Sequence, residues 1–169
     1  MAVLNPQNIL DSWHSLLDGC SGAAGQLFDK VGAKIDAAEP PNVYYDEERV
    51  ATGFWMNITG QGREFLLVYN EVPKVKDYKF YITSEPYGIH LSVGWYLTAP
   101  GGLLRSLGLG NVETFLREAK LDLFESQELR NFATLVHGCV ADSADEIVLS
   151  AGPDMQKVNR QTKGFLGLS

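Results

Sequence analysis

The sequence predicts an α+β protein in which helices pack on an antiparallel sheet of four to five strands. Three observations lead to this fold class. Apolar residues recur at helical spacing near both ends of the chain, the middle of the chain has strand character, and short turn-rich connections join the middle segments. Short connections permit only antiparallel neighbours, because parallel pairing needs a long crossover. Helices and strands that are segregated along the chain are typical of the α+β class.

The length of 169 residues predicts a single domain, since a domain takes roughly 150 residues. We assign residues 1–152 to that domain, with 1–38 helical, 43–98 forming the sheet and 111–150 helical. Residues 153–169 are assigned to a separate basic and apolar tail. Hydrophobic residues make up 45% of the chain and charged residues 21%, which is ordinary for a globular protein.

Two helices are predicted within residues 1–38. In the first, apolar residues fall three or four positions apart, at Leu10, Trp13, Leu16 and Leu17. The second shows the same spacing at Ala24, Leu27, Phe28, Val31 and Ile35. Pro40 and Pro41 end it, because proline lacks the amide hydrogen and clashes with the preceding turn.

The sheet is predicted as a meander. "RVATGFWMNIT" and "EFLLVYNEV" flank the glycine turn "GQGR", and "PKVKD" leads into "YKFYITS". "EPYG" is the predicted turn before "IHLSVGWYLT", with Pro86 fixing the turn backbone. "NVYYDEE" is a further candidate edge strand, and its Asp46–Glu48 charge run is typical of a solvated edge.

The C-terminal part of the domain is predicted to be helical. A short helix starts after Asn111, and a longer one runs from about Ser126 to Ser150, ending before Gly152-Pro153. The longer helix has one apolar stripe, made by Leu129, Phe132, Ala133, Val136, Val140, Ala144 and Ile147.

The two faces of the sheet differ in character. Leu91, Val93, Trp95 and Leu97 alternate along one strand and form a buried face. The opposite parity is aromatic rather than charged, at Trp55, Tyr81 and Tyr96. Three interpretations of this second face remain open: the two sets of helices cover opposite faces, a second copy docks on it, or a curved sheet grips an apolar ligand.

The C-terminal tail combines basic and apolar side chains in an acidic protein. Its basic residues are Lys157, Arg160 and Lys163, and its apolar residues are Phe165, Leu166 and Leu168. One interpretation is a disordered end. The favoured one is docking on an acidic apolar groove of this chain, of a second copy or of another protein.

The sequence shows no residue spacing that is typical of a catalytic, cofactor or metal site. His14, His90 and His137 have no metal-ligand spacing, and no nucleophile motif or phosphate loop is present. An acid–base pair of His90 with Glu85 is the enzymatic alternative. The net charge of −7 disfavours nucleic acid, which is itself a polyanion.

Cysteine content and hydropathy predict a cytoplasmic protein. Cys20 and Cys139 are expected to be free buried thiols in a reducing compartment. No signal peptide and no membrane-spanning apolar run is expected, although membrane-surface contact through Leu103–Leu109 or the tail stays open.

These observations together favour a non-enzymatic protein-interaction module. It would serve as an adaptor, a chaperone-like protein or a regulatory subunit. We expect it to form a homo-oligomer or bind a protein partner through a surface made by Trp55, Tyr81, Tyr96, Phe165, Leu166 and Leu168. The alternative is a binding protein for an apolar or lipid-like small molecule held between the sheet and the C-terminal helix.

Overall fold

The computed structural model describes residues 2–4, 8–51, 62–99 and 121–152. The elements in chain order are β1 (Ala2–Val3), β2 (Ile9–Leu17), α1 (Gln26–Ala38), β3 (Val43–Ala51), β4 (Arg63–Asn70), β5 (Lys79–Tyr87), β6 (His90–Thr98) and α2 (Leu123–Ala151). A single 3-10 turn at Ser21–Ala23 lies between β2 and α1 in this described part.

The fold is α+β, as the sequence predicts. Five strands pair antiparallel in the spatial order β3-β4-β5-β6-β2, and β3 to β6 follow one another as a meander. The predicted hairpin partner of "EFLLVYNEV" is wrong, because Val43–Val50 of the candidate edge strand pair with Arg63–Asn70. Residues 52–59 of "RVATGFWMNIT" lie outside the described residues. The two residues of β1 pair in parallel with Val50 and Ala51 at the end of β3. The charge run at Asp46–Glu48 therefore lies in the strand at one edge of the five-stranded sheet, as expected.

The predicted first helix is wrong, because Ile9–Leu17 forms the strand β2. Trp13 and Leu17 are buried, and residues four apart share a face in a helix and also in a strand. Their spacing therefore cannot distinguish the two periods. Pairing with β6 decides the outcome, with Trp13 opposite Trp95 and Leu17 opposite Leu91.

The turn between β5 and β6 comes later than predicted. Pro86 pairs with Leu91 inside the hairpin, and the turn residues are Gly88 and Ile89. Gly88 has φ +63°, the left-handed region that a two-residue hairpin turn requires and that glycine adopts at little cost. The first half of the turn "GQGR", up to Gln61, and the predicted helix after Asn111 lie outside the described residues.

Both described helices pack on the same face of the sheet, so the interpretation in which they cover opposite faces is wrong for this part of the chain. Leu27, Val31 and Ile35 of α1 share one apolar core with Phe132 of α2 and with Trp95 of β6. The predicted C-terminal helix is confirmed. It begins with a capping box in which Asp122 accepts from the Glu125 backbone amide and the Glu125 carboxylate accepts from the Asp122 amide.

Candidate functional site

The second sheet face carries a smaller apolar cluster of its own. Its buried members are Leu4, Val50, Phe65, Leu67 and Tyr81, and Tyr69 and Tyr96 pack against them. Phe65 and Tyr81 meet edge to face with ring centroids 6.1 Å apart. Burial, together with the nearby charge of Glu48, raises the pKa of Tyr81.

The predicted interaction residues have unequal access to solvent. Tyr81 is only 9% exposed, so little of its side chain can touch a second chain. Tyr96 is half-buried, and its opposite neighbour in the register is Tyr81. The other predicted surface residues, Trp55, Phe165, Leu166 and Leu168, lie outside the described residues.

A polar group that sequence reasoning missed adjoins Tyr96. The ring of His14 lies 4.8 Å from the Tyr96 ring, and it sits above Gly94, where a Cβ would overlap the imidazole. Burial of part of the ring lowers the pKa of His14. Assigning residues 9–17 to a helix hid this neighbourhood, because only the β2–β6 register places His14 opposite Gly94.

The predicted acid–base partner of His90 is wrong. Glu85 instead pairs with Arg63, with 2.9 Å between a carboxylate oxygen and a guanidinium nitrogen. The carboxylate beside His90 belongs to Asp18, whose Oδ1 lies 2.9 Å from Nδ1 without the alignment of a hydrogen bond. The pair stands at the end of the sheet where β2 finishes and β6 begins.

The two edge strands of the sheet differ in charge. β3 has four consecutive charged residues, Asp46–Arg49, which is a common protection against strand addition. β2 has a single charged residue, Asp11, which is 4% exposed and accepts a hydrogen bond from the Ser12 amide at 2.7 Å. Within the described ranges, no strand pairs with the outer edge of β2. The stretch Ser12–Leu17 is therefore an uncharged edge.

Exposed apolar side chains cluster at one end of this edge. Leu16 is 50% exposed, and Tyr87 and Ile89 at the tip of the β5–β6 hairpin are each 70% exposed. Leu17 pairs with Leu91, which places the hairpin tip beside the end of β2. This group differs from the predicted aromatic surface, which lies nearer the middle of the sheet.

A groove of about 390 Å³ lies between α1 and β3. It is lined by Phe28, Asp29, Gly32, Ala33, Asp36, Tyr45, Asp46, Glu47 and Leu66. Four carboxylates stand around an apolar floor, and we call this feature the acidic groove. Residue spacing alone could not reveal it, because it forms only when a helix face meets an edge strand.

Gly32 sets the depth of the acidic groove by admitting the Tyr45 ring. A Cβ at this position would lie 2.9 Å from Cε2 of Tyr45, so the ring rests directly on the helix backbone. The Tyr45 hydroxyl donates to Oδ2 of Asp36 at 2.8 Å, and this bond is the main reason that the pKa of Tyr45 is raised. The ring and the carboxylate thereby tie β3 to α1.

Comparison with known proteins adds no relative. No protein-family model, no curated protein and no solved structure matches this chain. Among the described residues, no group of three metal-ligating side chains is placed to hold an ion. No helix in that same part of the chain has the length and apolar character needed to cross a membrane.

Proposed function

We propose that this chain is a non-enzymatic protein-interaction module that self-associates by pairing the β2 edges of two copies. It would act as an adaptor, chaperone-like protein or regulatory subunit. The observation that carries the proposal is the uncharged edge Ser12–Leu17, next to exposed apolar side chains. The sheet remains the site of association that the sequence indicated, but the contact moves from the aromatic face to an edge.

Backbone chemistry supports pairing at this edge. Amide and carbonyl groups on the free side of a strand are strong hydrogen-bonding groups that another strand can satisfy. Natural edges are commonly protected by lysine, proline or a bulge. β2 has an irregularity between Ile9 and Asp11, and the stretch beyond it is regular. The stretch after the irregularity is thus the part that supports strand addition.

Symmetry indicates the geometry of the pair. Two identical edges related by a two-fold axis make an isologous contact, and identical strands then run antiparallel. A register centred on Ser15 would place His14 of one copy opposite Leu16 of the other. Leu16, Tyr87 and Ile89 would add apolar area beside the hydrogen-bonded strands.

The buried thiols support a reducing compartment such as the cytoplasm for this module. Cys20 and Cys139 are both free and buried.

Binding of an apolar small molecule between the sheet and α2 stays a second prediction from the sequence. The rings of Phe80 and Phe132 pack against each other there, with centroids 5.3 Å apart. This direct contact between sheet and helix does not favour a ligand at that place. A copurified ligand in native mass spectrometry would be its test.

Sedimentation equilibrium of Leu16→Lys tests the proposed pairing. A lysine at the edge adds a charge that strand pairing would bring against the second copy, so we expect the variant to sediment as a monomer. The wild-type chain should sediment as a dimer in the micromolar range. Leu149→Lys is the matched control, because Leu149 is 46% exposed but lies on α2.

A wild-type chain that stays monomeric across the micromolar range would contradict the proposal. So would a Leu16→Lys variant that dimerises as well as Leu149→Lys does. Tyr96→Lys separates the edge from the aromatic face: dissociation by this variant alone would place the contact on the face that the sequence favoured. Circular dichroism of each variant checks that the sheet has formed.

A further inference from the structure

We propose that the acidic groove binds the C-terminal tail of the same chain, residues 153–169. This inference does not depend on pairing of β2, which lies at the opposite edge of the sheet. The groove has carboxylates beside an apolar floor, so it suits a segment with basic residues followed by apolar ones. The tail has both kinds of residue in that order.

The charges of the groove and the tail are complementary. Asp29, Asp46 and Glu47 face the cavity, whereas the lysines of α1 are engaged elsewhere. Lys30 and Lys34 both form ion pairs with Glu146 of α2, the former at 3.1 Å. Because those cations are used on the other side of the helix, the groove keeps its negative potential. The tail brings Lys157, Arg160 and Lys163 to it.

The floor of the groove suits the apolar end of the tail. Phe28, Ala33 and Leu66 line it between the carboxylates. Phe165 and Leu166 follow Lys163 in the sequence, so a bound basic residue would bring them beside this floor. Removing their apolar surface from water favours the docked state.

The geometry of α2 places the start of the tail near the groove. Lys30 and Lys34 both contact Glu146. Lys34, the later of the two in α1, also interacts electrostatically with Asp142, which lies one turn earlier in α2. The helices therefore run antiparallel, and the end of α2 approaches the N-terminal part of α1, where Asp29 lies. From Gly152 to Lys163, an extended chain covers up to roughly 36 Å. The width of α1 is about 10 Å, so the tail can pass around it.

The edge of β3 offers the tail backbone a partner. β1 pairs only with Val50 and Ala51, and no strand in the described ranges pairs with the outer side of Val43–Arg49. Tyr45 and Glu47 of this stretch line the groove. The acidic residues that protect this edge against an uncharged strand attract a basic one. An extended tail segment would therefore pair with β3 while its basic side chains reach the carboxylates, a mode in which the added strand supplies affinity and side chains supply specificity.

Carbodiimide crosslinking of the full-length chain tests this assignment, because the reagent joins a lysine amine to a carboxylate in direct contact. We expect crosslinks from Lys157 or Lys163 to Asp29, Asp46 or Glu47, identified by mass spectrometry. The ion pair between Lys30 and Glu146 provides an internal reference crosslink of known geometry. An equal mixture of isotopically light and heavy protein distinguishes crosslinks within a chain from those between copies.

Variants sharpen the experiment. In Asp29→Asn/Glu47→Gln the tail crosslinks should fall severalfold relative to the Lys30–Glu146 reference. Glu64→Gln, which removes a carboxylate outside the groove, should leave them unchanged. Light–heavy crosslinks to the groove would overturn the proposal in favour of a second copy. Tail crosslinks only to other sites, or none while the reference forms, would also overturn it, and neither result bears on the β2 pairing.

Discussion

The indole nitrogen of Trp95 donates a hydrogen bond to Nδ1 of His137 at 3.1 Å, inside the core between β6 and α2. Both side chains are buried, and the imidazole also meets the Trp13 ring edge to face at a centroid distance of 5.6 Å. The contact joins the sheet to the long helix through a directional bond. It also determines that Nδ1 is the acceptor nitrogen of the neutral imidazole.

Replacing Trp95 by Phe should therefore destabilise the fold by more than lost packing alone. The change leaves the Nδ1 acceptor of His137 without this donor, and an unsatisfied buried polar group costs about 1–3 kcal/mol. Urea unfolding of Trp95→Phe, His137→Phe and the double variant measures the coupling between them. We expect a coupling free energy of about 0.5–3 kcal/mol. Strictly additive losses would show that the bond contributes nothing.

Gly94→Ala should disrupt the pairing of β2 with β6. A Cβ at this position would stand 2.6 Å from the Trp13 carbonyl oxygen and would overlap the His14 imidazole. Backbone cannot move aside as a long side chain can, so we expect a loss of about 1–3 kcal/mol in the free energy of unfolding. The gain of about 0.5–1 kcal/mol from replacing a strand glycine is too small to offset it.

Gly22→Ala is the matched control for this prediction. A Cβ there meets nothing within 4 Å, so its unfolding midpoint in urea should stay close to that of the wild type. A Gly94→Ala variant as stable as Gly22→Ala would mean that β2 does not lie against β6 as described. Because β2 is also the proposed pairing edge, sedimentation of Gly94→Ala would report on both features.

The parts of the fold that the sequence predicts are those with one unambiguous period. β6 alternates over Leu91, Val93, Trp95 and Leu97, and α2 has an apolar stripe over many turns. The helix predicted at β2 is wrong because the spacing of Trp13 and Leu17 fits both the helical and the strand period. Only pairing with β6, a strand far away in the sequence, distinguishes the two. The local pattern could not contain that information.

The candidate sites depend even more on long-range contacts. The charge run of β3 was recognisable as a solvated edge, but the acidic groove also needs Asp29 and Asp36 from α1. Likewise, the ion pairs of Lys30 and Lys34 with Glu146 form only because α2 packs beside α1. Sequence reasoning supplied the basic tail and the expectation of an acidic groove, and the packing of α1 on β3 supplied a candidate for it.

Both cysteine thiols should be unreactive in the folded chain. Burial raises the pKa of Cys20, as does the charge of Asp18, and burial with the charge of Asp142 raises that of Cys139. A thiol with a raised pKa has little reactive thiolate at neutral pH. We expect no rapid reaction with an aromatic disulfide reagent, and reaction of both thiols after denaturation.

Leu149→Cys supplies the positive control for thiol reactivity, since this position is largely exposed on α2. The variant should gain one fast-reacting thiol while the two native cysteines stay protected. Fast reaction of a native thiol in the wild-type chain would contradict the described core, in which Cys20 donates to the Asp18 carbonyl at 3.2 Å.

The ion pairs that join α1 to α2 should make stability depend on acid. Hydrogen bonds from Lys34 and Lys30 lower the pKa of Glu146, so the folded state favours the carboxylate form. Their contribution is therefore fully present above the unfolded-state pKa and is lost as the pH falls through the lower folded-state value. Because Glu146 is about half exposed, the effect should stay below about 1 kcal/mol and weaken with salt.

Urea unfolding of wild type and Glu146→Gln at low salt, from neutral pH downward, tests this expectation. The difference between their free energies of unfolding should shrink in acid. Lys34→Met should reduce that difference at neutral pH, whereas a difference that grows as the pH falls would be the wrong sign for this ion pair.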